Sequence, residues 1–587
     1  MPNPFNVTAS VLGQPWAWRG GVAPDLAGGD GLVEQLFRAR GAAPTDLDRL
    51  LSAKLRDWLP NPSIFRDMDA AAARIAAAIR AAEPVVVFGD YDVDGATSAA
   101  LLIRLIRDCG GVASAYIPDR LLEGYGPSAG AMIALAAAGA TLIVTVDCGT
   151  QGFEALGAAR DAGVEVIVVD HHQASTALPP ALAVVNPNRL DETDGAAFGH
   201  LAAVGMAFLL AVGVLRTLRG SRWFVDRAEP RSLDLLDLVA LGTVADVVPL
   251  TGLNRAFVAQ GLKVMAARRN LGLAALAAVA GIERAPLARD LGFALGPRIN
   301  AGGRVGKSDL GVRLLTTRDP AEAAEIAAEL DRLNVERRVI EAAVTDEAAA
   351  LSDRTGNAAV AVIAHGGWHP GVIGIVASRL KDRLKKPVIV IALEAGSDGG
   401  MIGKGSGRSV PGVDLGGAIL AAKDCGLLIA GGGHAMAAGL TIDASRIDAL
   451  TLFLDERLGG DVGRSKARAA LSIDAALSPR GVCVELTEML DAAGPYGQGW
   501  PHPRVASGPW RVAKLDIVGD NHVRAILTGS DGARIKAMAF RSGDTPLGLA
   551  LAGADGRWCF VAGRVQRDDW GRTPAAELHL DDLAWVD

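Results

Sequence analysis

From residue 84 onward, short runs of apolar, β-branched residues alternate with longer stretches rich in Ala and Leu. PVVVFGD (84–90), TLIVTVD (141–147) and VEVIVVD (164–170) each read as a buried strand. TSAALLIRLIRDCG (97–110) and GFEALGAARDAG (152–163) carry helical spacing, the first stopped by Gly110. Strands without polar alternation, separated by helices, predict a parallel α/β sheet. Residues 321–353 contain neither Gly nor Pro, which predicts one helix of about 50 Å at 1.5 Å per residue. That helix is expected to act as a strut to a second, smaller α/β unit. This unit has strands at 358–364 and 387–392, a helix at 371–384, and Gly-rich turns at 403–412 and 430–439. After about residue 465 the runs become short and turn-punctuated, as in HVRAILTG and RIKAMAF, predicting a small all-β barrel or sandwich. The division expected is an extension over 1–79, a parallel-sheet unit over 80–310, a connecting helix over 311–354, and further units over 355–464 and 465–587.

Composition narrows the class. Half of the 587 residues are apolar and 21% are charged, which excludes disorder as the main state. The N-terminus lacks a basic region followed by an apolar one, so no secretory signal is read there. Leu201 to Leu215 is the longest apolar stretch, shorter than the ~20 residues of a membrane span, and reads as a buried helix. Five scattered cysteines without a CxxC pair suit a reducing cytoplasm and offer no cysteine zinc site. A formal charge of −7 argues weakly against a protein that coats nucleic acid.

Three predicted strands end in acids. The first gives Asp90, Asp92 and Asp94, the second Asp147, and the third Asp170 followed by His171 and His172. A fourth acid, Asp246, follows the helical run LDLLDLVAL. In an open parallel sheet, ligands bind beyond the carboxyl ends of the strands, so these groups should converge. A lone acid at a strand end is better read as a helix cap or turn residue, as Asp90 could be. Acids on three consecutive strand ends fit that reading poorly. Crowded carboxylates need either raised pKa values or a cation, and Asp oxygens with imidazoles suit Mn²⁺ or Mg²⁺. No P-loop and no GxSxG elbow occurs. Setting Asp90, Asp92, Asp94, Asp147 and Asp246 aside leaves 61 acidic against 59 basic residues, so the acidic total says little about partners.

FGDYDVDGATS, VTVDCGT, VVDHHQ and TVADVVPL resemble the four ordered motifs of the DHH phosphoesterase superfamily. GPRINAGGRVG, LNVERRVIE, WHPGVIGIVASRLKDRLKKPVIV, KGSGRSVPGVDL and GGGHAMAAGL are similar to its RecJ branch with a DHHA1 domain. The resemblance implies a DHH domain, a DHHA1 substrate-binding domain and an OB-fold-like β domain. It also implies single-strand-specific 5′→3′ DNA exonuclease activity with two Mn²⁺ or Mg²⁺ ions, used in recombination and repair. Asp92 and Asp94 would then hold the two ions separately, Asp147 would bridge them, and His171 and Asp246 would complete the second site. Asp90 matches the first acid of the motif. His172 would face the scissile phosphate, and Asp170 would fix the tautomer of His171. LAAVGMAF (201–208) and INAGGR depart from the usual motif wording without touching a proposed ligand.

The second half should grip substrate. Arg379 to Arg408 holds seven Lys or Arg against three acids, although KDRLKK reads mostly as a solvated helix face. Arg408 and Ser409 lie in a Gly-rich turn that could form an anion nest. By the resemblance this turn, with Gly433 and His434, belongs to the nucleic-acid-binding elements. Arg120, Arg298, Asn300, Arg304 and Arg379 join them as candidates for a 5′-phosphate and backbone pocket. Single-stranded DNA with a 5′ end is the expected substrate, and single-strand-binding protein and a helicase are suggested partners, with no membrane. The alternatives are a DHH-type oligoribonuclease or cyclic-dinucleotide phosphodiesterase, and a non-catalytic RecJ-like replication scaffold. Relatives of the first kind usually begin their first motif with a His, absent from FGDYD. The second should have lost acids that are present.

Overall fold

A computed structural model describes residues 3–21, 23, 31–119, 123, 124, 126–352, 356, 358–396, 400–467, 470–568 and 573–586. Strand β1 (Trp16–Trp18) pairs in parallel with Leu471–Ile473 near the other end of the chain. Five parallel strands then form the first sheet: β2 (Pro84–Gly89), β3 (Val112–Tyr116), β4 (Leu142–Val146), β5 (Glu165–Val169) and β6 (Ala183–Val185). Their order is β3-β2-β4-β5-β6. The chain direction across the sheet reverses between β2 and β4, which is where such sheets open a crevice. The central strand β4 is buried throughout, and β2 and β5 are buried beyond their first residues, because helices cover both faces. Strand β3 was not foreseen: it lies at the sheet edge and only Ala113 is fully buried, so VASAY lacks the apolar run of its neighbours.

Helix α1 (Met68–Ala81), from the N-terminal extension, packs on the first sheet's helical layer. Helix α2 (Val93–Asp108) begins four residues earlier than the sequence suggests, so it rises directly out of the acid motif. Helix α3 (Ala203–Gly220) is long and apolar enough to cross a membrane, yet it is the buried core helix expected from Leu201–Leu215. Helix α4 (Leu236–Ala245) leads to Asp246, and α5 (Gly296–Val305) carries the RINAGGR segment. Helix α6 (Pro320–Ser352) is the long connector.

The second sheet has the order β10-β11-β9-β8-β7, from β7 (Ala361–Gly366), β8 (Val388–Ala395), β9 (Met401–Arg408), β10 (Ala430–His434) and β11 (Ala437–Asp443). Helix α7 (Ile373–Leu384) covers one face and α8 (Leu415–Asp424) the other. The Gly-rich segments read as turns are therefore mostly strands. A Cβ on Gly403, Gly405 or Gly407 would stand 2.6–2.7 Å from Ile391, Leu440 or Leu415. Glycine is required there because neighbours lie directly over the backbone, a demand that local sequence does not display.

The remaining strands, β12 (Leu471–Ile473), β13 (Ala475–Leu477), β14 (Val505–Val518), β15 (His522–Gly529), β16 (Arg534–Ala539), β17 (Cys559–Asp568) and β18 (Ala575–Trp585), build the β-rich unit. Pairing of β14 with both β15 and β17 closes a barrel in the order β14-β15-β16-β18-β17. Arg255 fastens this unit to the rest: 1% exposed, it donates to the carbonyls of Leu50, Ala493 and Pro495. Trp510 is buried and Trp500 nearly so, in keeping with core roles, whereas Phe540 is 51% exposed.

Candidate metal centre

The strand ends on either side of the β2/β4 reversal deliver the acids. Asp90 follows β2 directly, and Asp92 caps α2 by accepting from the Gly95 amide at 3.0 Å. Asp94 sits in the first turn of α2, with its two oxygens accepting from the amides of Ala203 and Val204 at 2.7 and 2.9 Å. It thereby also caps the start of α3. Asp147 leaves β4 in the left-handed region at φ 59°, which turns its carboxylate back into the crevice.

Ligand atoms of Asp90, Asp92 and Asp147 lie within 4.8 Å of one another, as do those of Asp147, His171 and His172, and those of Asp94, His171 and Asp246. Asp147 joins the first two groups and His171 the last two, so the clusters form one connected array. All six residues named as metal ligands from sequence meet here.

His171 tests whether the array suits a cation. Its Nδ1 is 3.0 Å from the Leu201 carbonyl, which can only accept, so Nδ1 carries the hydrogen. Nε2 then presents a lone pair, 3.3 Å from Asp147 and 3.7 Å from Asp246. Neither Nε2 nor Asp246 Oδ2 has a hydrogen-bond partner, although both are buried. Lone pairs facing each other in a low-dielectric crevice are unfavourable without an intervening positive charge. The donor set, carboxylates plus one imidazole nitrogen, is the chemistry that holds Mn²⁺ or Mg²⁺. The residues fit such ions.

Proton affinities tell the same story. Burial and then repulsion from Asp92 push Asp94 up to about 7. Burial, with Asp94 and Asp92, pushes Asp246 to about 9. Asp147 is raised well above the usual carboxylate range, by burial first and then by the surrounding acids. His171 falls to about 4 because burial disfavours its charge and His172 repels it.

Asp170 takes a different role from the one expected. It accepts from His172 Nδ1 at 2.7 Å, from the amides of His171 and His172, and from the Thr150 amide. The tautomer of His171 is set by Leu201 instead, because successive side chains after a strand point in opposite directions. Burial opposes charge on both partners, yet their hydrogen bond wins, so Asp170 is lowered and His172 raised. Sequence reasoning missed Asn186 and Asn188, whose amides bond the carbonyls of His172 and His171 at 2.8 and 2.6 Å. The NPN segment after β6 carries no signal for that task.

The substrate candidates are more scattered. Arg120 lies outside the described residues. Arg298 is spent on Asp331 and the Ala294 carbonyl at 2.9 Å each, and Arg379 pairs with buried Glu341 at 2.5 Å. Arg304 donates to the Gly371 carbonyl at 2.9 Å, tying α5 to the second α/β unit. Asn300 keeps a buried Oδ1 without a hydrogen-bond partner. Ser409 corrects the nest reading: it is fully buried, and its hydroxyl donates to the Val413 carbonyl at 2.7 Å. Arg408 is the last residue of β9, and its guanidinium lies beside Gly374 in the first turn of α7. His434 pairs with Ala437, which pairs with Arg408, so His434 and Arg408 share one sheet face. Gly433, at φ 149°, sits where a Cβ would press within 2.4 Å of the Ala437 carbonyl oxygen.

Three family profiles match the chain: the DHH family N-terminal domain over 84–243, the DHHA1 domain over 355–460 and the RecJ OB domain over 473–582. A protein of Dickeya dadantii named single-stranded-DNA-specific exonuclease RecJ is 41% identical, covering 76% of this chain and 78% of its own. The protein of the same name from Escherichia coli is 37% identical over 84% of this chain and 86% of its own. The crystal structure of RecJ in complex with Mn²⁺ from Thermus thermophilus superposes with a TM-score of 0.75 at 29% identity, covering 97% of this chain and 80% of that one.

Proposed function

Because the chain belongs to the RecJ family of single-stranded-DNA-specific exonucleases, we propose that its acid and imidazole array hydrolyses DNA strands one nucleotide at a time from the 5′ end. The protein is a metal-dependent exonuclease of that family, used in recombination and repair. The observation that carries the reading at the level of residues is the connected array itself, with the His171 lone pair aimed between two carboxylates. Asp90, Asp92 and Asp147 would hold one divalent ion, and Asp94, His171 and Asp246 a second, with Asp147 reaching both. Bound Mn²⁺ or Mg²⁺ supplies activation of the attacking water and neutralises charge on the phosphodiester.

The chain's own residues do the rest. Asp170 holds His172 by Nδ1 and raises its proton affinity, so the ring is oriented to face the scissile phosphate. Leu201 fixes His171 so that Nε2 stays available. Arg408 and His434, on one face of the second sheet, form the anion-binding wall for the strand, and Asn300 of α5, with its buried Oδ1 unpartnered, is a further candidate. A 5′ end seated between the two α/β units accounts for polarity and for rejection of a duplex. The reading extends to a cytoplasmic enzyme, with single-strand-binding protein and a helicase supplying its substrate.

The test is a Mn²⁺-supported digestion comparing 5′-phosphorylated single strands with 5′-blocked strands, duplex DNA and short RNA. Release of 5′-mononucleotides from the first substrate alone is expected. Equal digestion of blocked strands overturns the polarity, and preference for short RNA or for a cyclic dinucleotide overturns the substrate.

A further inference from the structure

Residues 288–305 form one continuous helical run that changes its winding halfway. Ala288–Asp290 is α-helical, Leu291–Leu295 is a π turn, and Gly296–Val305 is α5. The π turn is rare and tends to mark functional positions, since it widens the helix and re-aims side chains. Leu291 and Leu295 are fully buried, while Phe293 between them is 81% exposed, the largest exposure among large apolar side chains of the described residues. No aromatic partner covers its ring among the described contacts.

The neighbours of this run show where it lies in the molecule. Arg289 donates to Gln566 of β17 at 3.1 Å, so the run begins against the barrel. Gly292 and Gly296 pass so near α4 that added Cβ atoms would meet Val244 at 3.4 Å and Ala245 at 3.5 Å, just before Asp246. Gly303 packs under Tyr91 of the acid motif, and Arg304 ends the run on Gly371. The run therefore passes from the barrel, beneath the acids, to the second α/β unit. Phe293 follows Arg289 by four residues, which keeps both on one face in α or π winding, about 6 Å further toward the acids. Val247, next to Asp246, is also exposed, at 63%.

We propose that Phe293 is a base-stacking platform for the DNA strand between the barrel and the metal crevice, setting the path of the strand. The inference rests on the single-strand reading above. Every base presents a π face, so an exposed ring on this route grips a strand without regard to sequence. A duplex hides those faces and gains nothing from the ring.

The measurement uses single strands carrying 2-aminopurine at successive positions from the 5′ end, bound to the full chain in an Asp147→Ala background that prevents cleavage. Quenching is expected at one or two positions near the 5′ end, lost in Phe293→Ala and kept in Phe293→Tyr. In the cleaving protein, Phe293→Ala should raise KM for long single strands about tenfold with kcat unchanged. Its melting temperature should stay put, because the ring is already in solvent. Unchanged quenching and KM in Phe293→Ala overturn the proposal, as does wild-type behaviour in Phe293→Leu, which keeps bulk without a π face. Failure of the wild type to digest single strands counts against the function alone, since the fluorescence reports stacking independently.

Discussion

The crevice of the first sheet and the arginine-bearing face of the second are built on opposite electrostatic terms. In the crevice, five acids and a neutral imidazole are pressed together with their lone pairs facing one another. Around that face, on α5 as well as on the second unit, most of the candidate cations are already answered: Arg298 by Asp331, Arg379 by Glu341, Arg304 by a carbonyl. One region stores repulsion that a bound cation relieves. The other spends its charge on holding two units together and leaves a small remainder for a ligand. Charge in a sequence thus says little until it is known whether the fold has opposed it.

The largest test of that contrast is Asp147→Asn. Activity should fall by at least a thousandfold in the single-strand assay, while the metal-free protein melts at a higher temperature at neutral pH, because the folded crevice holds Asp147 protonated at a cost that the amide does not carry. A lower melting point would mean that the acids support the fold instead of straining it. Asp237 offers a buried acid outside the array, in the first turn of α4 and 4% exposed. Burial raises it to about 6 from 3.8. The folded state therefore keeps a proton that the unfolded chain releases, so wild-type stability is fullest below about pH 4 and is lost as pH rises through 6. Asp237→Asn should gain up to about 3 kcal/mol at pH 8 and nothing at pH 4, by denaturant titration, and Mn²⁺ should not alter that gain. A gain that depends on Mn²⁺ would place Asp237 in the metal system and blur the comparison.

On the opposite side, Glu341→Gln leaves Arg337 and Arg379 without their shared anion. The expected loss is about 2 kcal/mol, below the range for fully buried pairs because Arg379 is 48% exposed. Stability equal to wild type would show that these arginines were never committed. Ser409→Ala is the smallest change: about 1 kcal/mol from its hydrogen bond to Val413, with KM for DNA unaltered. A rise in KM would return Ser409 to the ligand-binding set.

The same contrast explains what could be read from the sequence. Acids at the ends of apolar strands were legible because a parallel sheet places all its strand ends together, whatever the loops do. The long connector was legible from the absence of Gly and Pro. The second sheet was not, because its glycines answer to Ile391, Leu440 and Leu415, which stand on other segments. Arginine partners were equally hidden: a long side chain selects among acids on distant segments, as Arg379 selects Glu341 from α6. The exchange of Asp170 from His171 to His172 turned on which way adjacent side chains face, which the string DHH does not record.

The pairing of Trp16–Trp18 with Leu471–Ile473 bears on how the protein is made. The indole of Trp16, fully buried, also donates to Asp582 at 3.0 Å. At typical rates of synthesis of 5–20 residues per second, the first strand leaves the ribosome roughly 20–90 s before its partner. During that interval an apolar WAW strand has no native place to go, while the first sheet can already fold. The chain's beginning is thus the last part to be finished, and nascent chains should depend on chaperones until the barrel emerges.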